Sequence, residues 1–410
     1  MEKRVVITGM GAVSPVGNSV PELWENIKNG VCGIGPITQF DASAHKAKLA
    51  GEVKIDLDAY IPKAESRRMD RFTQFAVIAA NEAYQTSGIC KENTDFTRCG
   101  VLISSGIGGM STIEREHARG MERGFDRVSP FFIPMTISNM AAGYIAINTG
   151  FQGYCGCSVT ACAGGSYAIG DAFRQIRHGY ADVMLAGGAE ACITPLAIGG
   201  FTSMKALNET DDVSRASIPF DAERAGFIMG EGAGCLMLEE LEHAKKRGAT
   251  IYGELVGYGA TCDAYHITAP SPNGEGGANC MAQALLDAGI RPEDVDYINA
   301  HGTSTPMNDK CETAAIKAVF GESASRVAVS STKSMTAHML GAAGAVEAII
   351  CTMAVKEGFI PPTIHYQTPD ADCDLDVVPN VGRKQPVRYA ISNSLGFGGH
   401  NATLVFHHYE

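Results

Sequence analysis

Ser158-Val159-Thr160-Ala161-Cys162-Ala163-Gly164-Gly165-Ser166 opens a helical run that continues to Arg177-His178-Gly179, and Ser331-Thr332-Lys333 opens another that continues to Lys356-Glu357-Gly358. In both, a short strand enters a turn of small residues and leaves as a helix. A second pair of segments repeats in the same order. Ala79-Ala80-Asn81-Glu82-Ala83-Tyr84-Gln85-Thr86-Ser87-Gly88-Ile89 reads as a helix closed by a glycine cap, with a strand after it at Gly100 to Ser104. Met281-Ala282-Gln283-Ala284-Leu285-Leu286-Asp287-Ala288-Gly289-Ile290 has the same cap and leads to a strand at Val295 to Ala300. Single βα units resemble each other by chance in any α/β protein. Two matches in one order point instead to a duplicated chain with an N-terminal half, 1–250, and a C-terminal half, 251–410. The predicted class is α/β, with helices sandwiched between two sheets and the functional site where the halves meet.

Composition narrows the function. The 410 residues are 45% hydrophobic and 19% charged, enough for a large core. A formal net charge of -12 leaves no overall basic face for phosphate backbones, which argues against a nucleic-acid partner. Met1-Glu2-Lys3-Arg4-Val5-Val6-Ile7-Thr8-Gly9 is too briefly apolar for an export signal and reads as a first strand. The small-residue run Gly341 to Met353 carries Glu347 in its middle, so it reads as a buried helix rather than a membrane span. The 13 cysteines are scattered and odd in number, as free thiols in a reducing cytosol would be. Cys155-Gly156-Cys157 has no second cysteine pair or spaced histidines to complete a zinc shell, so no metal site is expected.

Cys162 sits where a strand turns into a helix. Unpaired N–H groups and the helix dipole favour an anion there, which is expected to lower the thiol's pKa. Ala161, Ala163 and Gly164 leave room for a carbonyl to approach the sulfur. His301 ends the strand Tyr297-Ile298-Asn299-Ala300, and His338 closes Ser331-Thr332-Lys333-Ser334-Met335-Thr336-Ala337-His338, at the turn matched by duplication to that of Cys162. Two histidines and Lys333 are therefore expected to converge on the cysteine. His45, His117, His178, His243, His365, His407 and His408 are read as ordinary polar residues. Ser392-Asn393-Ser394-Leu395-Gly396-Phe397-Gly398-Gly399-His400-Asn401-Ala402 is a strand ending in a glycine loop whose N–H groups suit an oxyanion. It has neither the dinucleotide-binding glycine spacing nor a P-loop lysine.

These blocks, in this order and over nearly the whole chain, resemble the β-ketoacyl-[acyl-carrier-protein] synthases of the thiolase superfamily, the type II condensing enzymes of bacterial fatty-acid synthesis most closely. Pro219-Phe220-Asp221, Gly226-Phe227-Ile228-Met229-Gly230-Glu231-Gly232 and Asp263-Ala264-Tyr265-His266-Ile267-Thr268-Ala269-Pro270 strengthen the likeness. The resemblance implies a duplicated α-β-α-β-α fold with two mixed sheets, a cytoplasmic homodimer, and no cofactor beyond the phosphopantetheine arm of acyl carrier protein. It implies that Cys162 accepts an acyl chain and that His301 and His338 hold the malonyl thioester oxygen through decarboxylation. The N–H groups of Cys162 and Phe397 would hold the oxyanion. Lys333, with Glu347 and Glu312, would tune the histidines, and Thr303 and Thr305 would support the site. Phe397 and Phe201 correspond to aromatic gates, and Ile107 to the lining of the acyl pocket. Arg67, Arg68 and Arg71 form a cationic cluster, and Arg127 and Lys205 match positions that face the carrier protein in the family.

The chain departs from the pattern at Ala337 and Asn308, where the family usually has glycine. Ala337 is ill suited to a left-handed backbone. A polyketide ketosynthase would share every catalytic residue. A non-condensing partner subunit would lack the cysteine, and a thiolase would release no carbon dioxide.

Overall fold

The computed structural model describes residues 2–410. Among them, ten strands form one hydrogen-bonded ladder whose order displays the duplication. From one edge run Cys155–Gly156, Cys99–Ser104, Val183–Glu190, Gly232–Glu240 and Val5–Val13; from the other run Ala328–Ser330, Tyr297–Asn299, Tyr389–Gly396, His400–His407 and Gly253–Cys262. In each series the first three strands are parallel and the later pairings antiparallel. The series join where Val5–Ile7 pairs with Gly253–Leu255. The two expected mixed sheets are thus five-stranded layers continuous through one short pairing.

Helices Gly164–Arg177 and Ala343–Glu357 pack on each other and on strands of both series, forming the central layer. Arg71–Ser87 covers one sheet and Glu275–Ala288 the other, which completes the α-β-α-β-α order. The period of two along a strand sorts its side chains between layers. In Val183–Glu190, Met184 and Ala186 join the core around the central helices, whereas Val183 and Leu185 join the core beneath Arg71–Ser87. All of Val5–Val13 and Val183–Glu190 is buried, because both faces are covered. Ala343–Glu357 is buried from Ala343 through Val355, as a helix between two sheets must be. No described helix is long and apolar enough to cross a membrane.

Both predicted glycine caps are left-handed, Gly88 at φ 67° and Gly289 at φ 68°. A third glycine sets the contact between halves. A Cβ on Gly188 would lie 2.2 Å from the carbonyl oxygen of Gly341, so sheet and turn meet backbone to backbone.

Several local expectations change. Only Cys155–Gly156 pairs ahead of the nucleophile turn, and Ser158–Thr160 is irregular, since no further strand lies beyond it to bond. The strand expected at Val295 to Ala300 shortens to Tyr297–Asn299 because the turn Pro292–Asp294 precedes it. The second-half helix is also not continuous from Lys333. The short helix Lys333–Thr336 ends, and a 3-10 turn Leu340–Ala342 then starts Ala343–Glu357. The 3-10 turn Ala161–Ala163 starts Gly164–Arg177 in the same way. The topological counterpart of Cys162 is therefore Gly341, and His338 belongs to the preceding loop.

Candidate active site

Cys162 occupies the middle of its 3-10 turn, after Ala161 at φ 49°, and is 8% exposed. The end of strand Tyr389–Gly396 lies against this turn. A Cβ on Gly396 would stand 2.8 Å from the Thr160 oxygen and 3.3 Å from the Cys162 nitrogen. That approach brings the N–H groups of Phe397 and Cys162 itself to the sulfur. The expected lowering of the thiol's pKa is not found. Burial pushes it up to about 12 against the opposing pull of Lys333 and the two N–H groups, with Glu190 adding to the rise. Desolvation of the sulfur outweighs the favourable end of the helix.

His301 and His338 reach the same cavity from two loops. The N–H groups of His301 and Gly302 each donate to Glu312 at 2.8 Å, so this carboxylate clamps the loop backbone rather than touching the imidazole. The His338 N–H donates to the Ile228 carbonyl, and its own carbonyl accepts from the Gly230 N–H, both at 2.8 Å. The ring centroids are 5.3 Å apart with planes at 86°. Burial, then the positive charge of Lys333, holds both imidazoles well below their usual pKa, so both are neutral at pH 7. The Lys333 ammonium meets Glu347 at 2.5 Å, and both are sealed from solvent. Burial raises the Glu347 carboxyl to about 7 even against that ammonium.

Cys162, His301 and His338 share a cavity of about 560 Å³ that opens past Met204, Lys205 and Met307. Phe201 and Phe397 line it with centroids 6.3 Å apart, and Thr303 and Thr305 line it with hydroxyls 3.0 Å apart. Phe227, not singled out from the sequence, completes the aromatic wall at 5.5 Å from Phe201 and 5.2 Å from His338. Ile107 does not line the open cavity. It packs in the closed apolar cluster that holds Cys162, Ile193, Ile198 and Leu340. Glu190 was also missed, although a carboxylate ending an otherwise apolar strand was a visible signal. Arg67, Arg68, Arg127 and Lys205 are exposed, Lys205 at the cavity rim. Arg71 leaves the expected cluster and pairs inward with the sealed Glu231 at 2.8 Å.

A family model for the beta-ketoacyl synthase N-terminal domain matches residues 2–244, and one for the C-terminal domain matches residues 252–367. The chain belongs to the β-ketoacyl synthases. It is 54% identical over 409 residues to the 3-oxoacyl-[acyl-carrier-protein] synthase 2 of Staphylococcus aureus (strain N315), covering 100% of this chain and 99% of the relative. The enzyme of the same name from Synechocystis is 53% identical over 412 residues, covering 100% of this chain and 99% of the relative. Among solved structures, a type II PKS acyl-carrier protein in complex with its ketosynthase matches at 38% identity and TM-score 0.93, covering 100% of both chains. A beta-ketoacyl synthase from Burkholderia phymatum matches at 33% identity and TM-score 0.91, also covering 100% of both.

In this β-ketoacyl synthase Ala337 adopts φ 58°, ψ -175°, a region almost reserved for glycine. Its methyl is buried beside Ile34, Leu49 and Ile228, and hydrogen bonds on both sides of the residue hold the turn. Ala337→Gly is expected to raise stability by up to about 1 kcal/mol in urea denaturation, the released strain being offset in part by the lost burial of the methyl and the greater unfolded freedom of glycine. The raised thiol gives a second expectation. Alkylation of Cys162 by iodoacetamide in the resting enzyme should keep accelerating through about pH 10, since a pKa of about 12 leaves little thiolate at lower pH. A plateau near neutral pH would show instead that the site stabilises the thiolate.

Proposed function

We infer that this β-ketoacyl synthase elongates acyl chains in fatty-acid synthesis by decarboxylative condensation, joining an acyl group on Cys162 to malonyl-[acyl-carrier protein] to give 3-oxoacyl-[acyl-carrier protein]. The observation that carries the reading is the convergence of one buried thiol and two neutral imidazoles on a single cavity walled in part by Phe201, Phe227 and Phe397. In the first step the sulfur attacks the acyl thioester, its proton leaves with the departing carrier thiol, and the acyl group stays on Cys162. In the second, malonyl thioester loses carbon dioxide, and the electrons of the broken bond form an enolate. Neutral imidazoles can donate hydrogen bonds to that enolate oxygen without fixing the malonyl carboxylate as an ion pair. The aromatic walls further disfavour a charged carboxylate. The enolate carbon attacks the acyl carbonyl, whose oxyanion rests on the N–H groups of Cys162 and Phe397, and collapse expels the cysteine sulfur, which takes up a proton from solvent to restore the thiol. Neither step is a redox reaction, so the mechanism calls on no cofactor beyond the carrier arm.

The surrounding residues take supporting roles in this reading. Burial, assisted by Lys333, keeps the imidazoles uncharged, and Glu312 positions His301. Thr303 and Thr305 receive the arm. Phe201 and Phe397 gate the passage from the cavity into the apolar cluster around Ile107, which would open to hold the acyl chain. The fatty-acid role is favoured over a polyketide one by the 54% identity to a 3-oxoacyl-[acyl-carrier-protein] synthase 2, against 38% for the ketosynthase of a type II PKS. A homodimer is supported by the free sheet edge at Cys155–Gly156 and by the exposed Ile133, Ile147, Tyr154 and Val159. The cytoplasm is the compartment in which such an enzyme would meet its carrier protein.

Cys162→Ala should abolish condensation of acyl- with malonyl-carrier protein, whereas His301→Ala and His338→Ala should also suppress carbon dioxide release from malonyl-carrier protein. Carbon dioxide release unaffected by both histidine replacements would contradict the assignment. Charge reversal at Arg67 and Arg68 should raise KM for the acidic carrier protein in a salt-sensitive way, because exposed cations act through a screened field. Unchanged KM would remove these residues from the docking surface.

A further inference from the structure

Asn308 lies in the first turn of helix Pro306–Phe320, half-buried on the cavity wall and next in sequence to the exposed Met307. Its Nδ2 donates to Asp309 Oδ1 at 3.1 Å. Asp309 is sealed from solvent and also accepts from the N–H groups of Phe220 at 2.9 Å and Ser304 at 3.2 Å. A carboxylate accepting those bonds leaves Asn308 only one orientation, with the NH₂ toward Asp309 and the carbonyl oxygen turned away from it. Among the described residues nothing donates to that Asn308 oxygen. Thr303 and Thr305, whose hydroxyls bond each other, line the same cavity.

We propose that Asn308 is a specificity-determining residue for the carrier arm, its Oδ1 accepting a hydrogen bond from a secondary-amide N–H of the bound phosphopantetheine. The proposal rests on the carrier-linked reading of the function and adds a residue to it. The geometry explains why a side chain is useful at this position. The carboxylate of Asp309 fixes the amide before substrate arrives, so no rotamer search is needed on binding. Pantetheine supplies amide donors along its length, whereas the thioester at its end supplies none. A free acceptor on the passage wall therefore reads the arm and is indifferent to the acyl group.

The test compares two malonyl donors at saturating acyl-enzyme, malonyl-pantetheine and a malonyl thioester of a simple alkanethiol that lacks amides. Asn308→Leu, close in volume and without hydrogen-bonding atoms, should raise KM for malonyl-pantetheine about two- to tenfold, the worth of one neutral hydrogen bond, with kcat held within about twofold. KM for the alkanethiol ester should not change. Asn308→Ser, with a shorter acceptor, should recover part of the loss. Equal KM for malonyl-pantetheine in wild type and Asn308→Leu overturns the proposal, as does an equal rise with both donors, which would mean a distorted site. Asn308→Gly provides the second variant if leucine disturbs folding, because it keeps the helix's first turn and removes only the side chain. Failure of the wild-type enzyme to condense either donor would instead count against the functional reading itself.

Discussion

Glu190 ties the two halves of the molecule at the point where the chemistry occurs. Its carboxylate, wholly sealed, accepts from the Ser105 hydroxyl at 2.9 Å and the N–H groups of Gly106 at 2.8 Å and Ile107 at 3.2 Å, and from Gly341 of the other half at 3.0 Å. Burial raises its pKa, and these four donors oppose the rise. A buried carboxylate is tolerated only when its oxygens are satisfied in this way. The close passage of Gly188 beneath Gly341 depends on the same contact, since an ill-placed turn would leave the carboxylate short of a donor. Gly341 and Cys162 occupy equivalent turns that pack against each other, so the seam closes directly beside the nucleophile.

That depth sets the electrostatics of the site. Cys162, His301 and His338 all lose water, and each is driven toward its uncharged form: the thiol upward, the imidazoles downward. Lys333 contributes to both, assisting a sulfur anion while discouraging imidazolium, and Glu347 neutralises its charge locally. The site is therefore a neutral constellation at rest, with one ion pair behind it. Such an arrangement suits a reaction in which negative charge moves from carboxylate to enolate to oxyanion, because fixed N–H donors meet each charge as it forms.

Strain and packing add a second constraint around His338. Ala337 is held in a glycine-like conformation, while Gly51 and Gly230 leave room for its methyl: a Cβ on either would come within 2.8 Å or 3.2 Å of the Ala337 Cβ. The Thr336 carbonyl oxygen stands equally close to both positions, at 2.9 and 3.0 Å, so backbone and methyl together exclude a side chain there. Asn308 is a different kind of departure, on the cavity wall with its polar atoms directed by Asp309.

Residue chemistry and short-range pattern were decided by the sequence alone: the two glycine caps, the order of the repeated units, and which cysteine, histidines and lysine stand in chemically telling motifs. The caps and strand pattern follow from rules acting between neighbours a few residues apart, such as the left-handed freedom of Gly88 and Gly289 or the period that splits Val183–Glu190 between two cores, whereas the meeting of Cys162 with His301 and His338 was expected from the duplication and the family motifs. The tertiary structure alone decided the protonation state of Cys162, the identity of Gly341 as its counterpart, the inward turn of Arg71 and the seam at Glu190. Desolvation and burial depend on everything packed around a group. A thiol at the favourable end of a helix can therefore still be raised when the other half of the molecule closes over it.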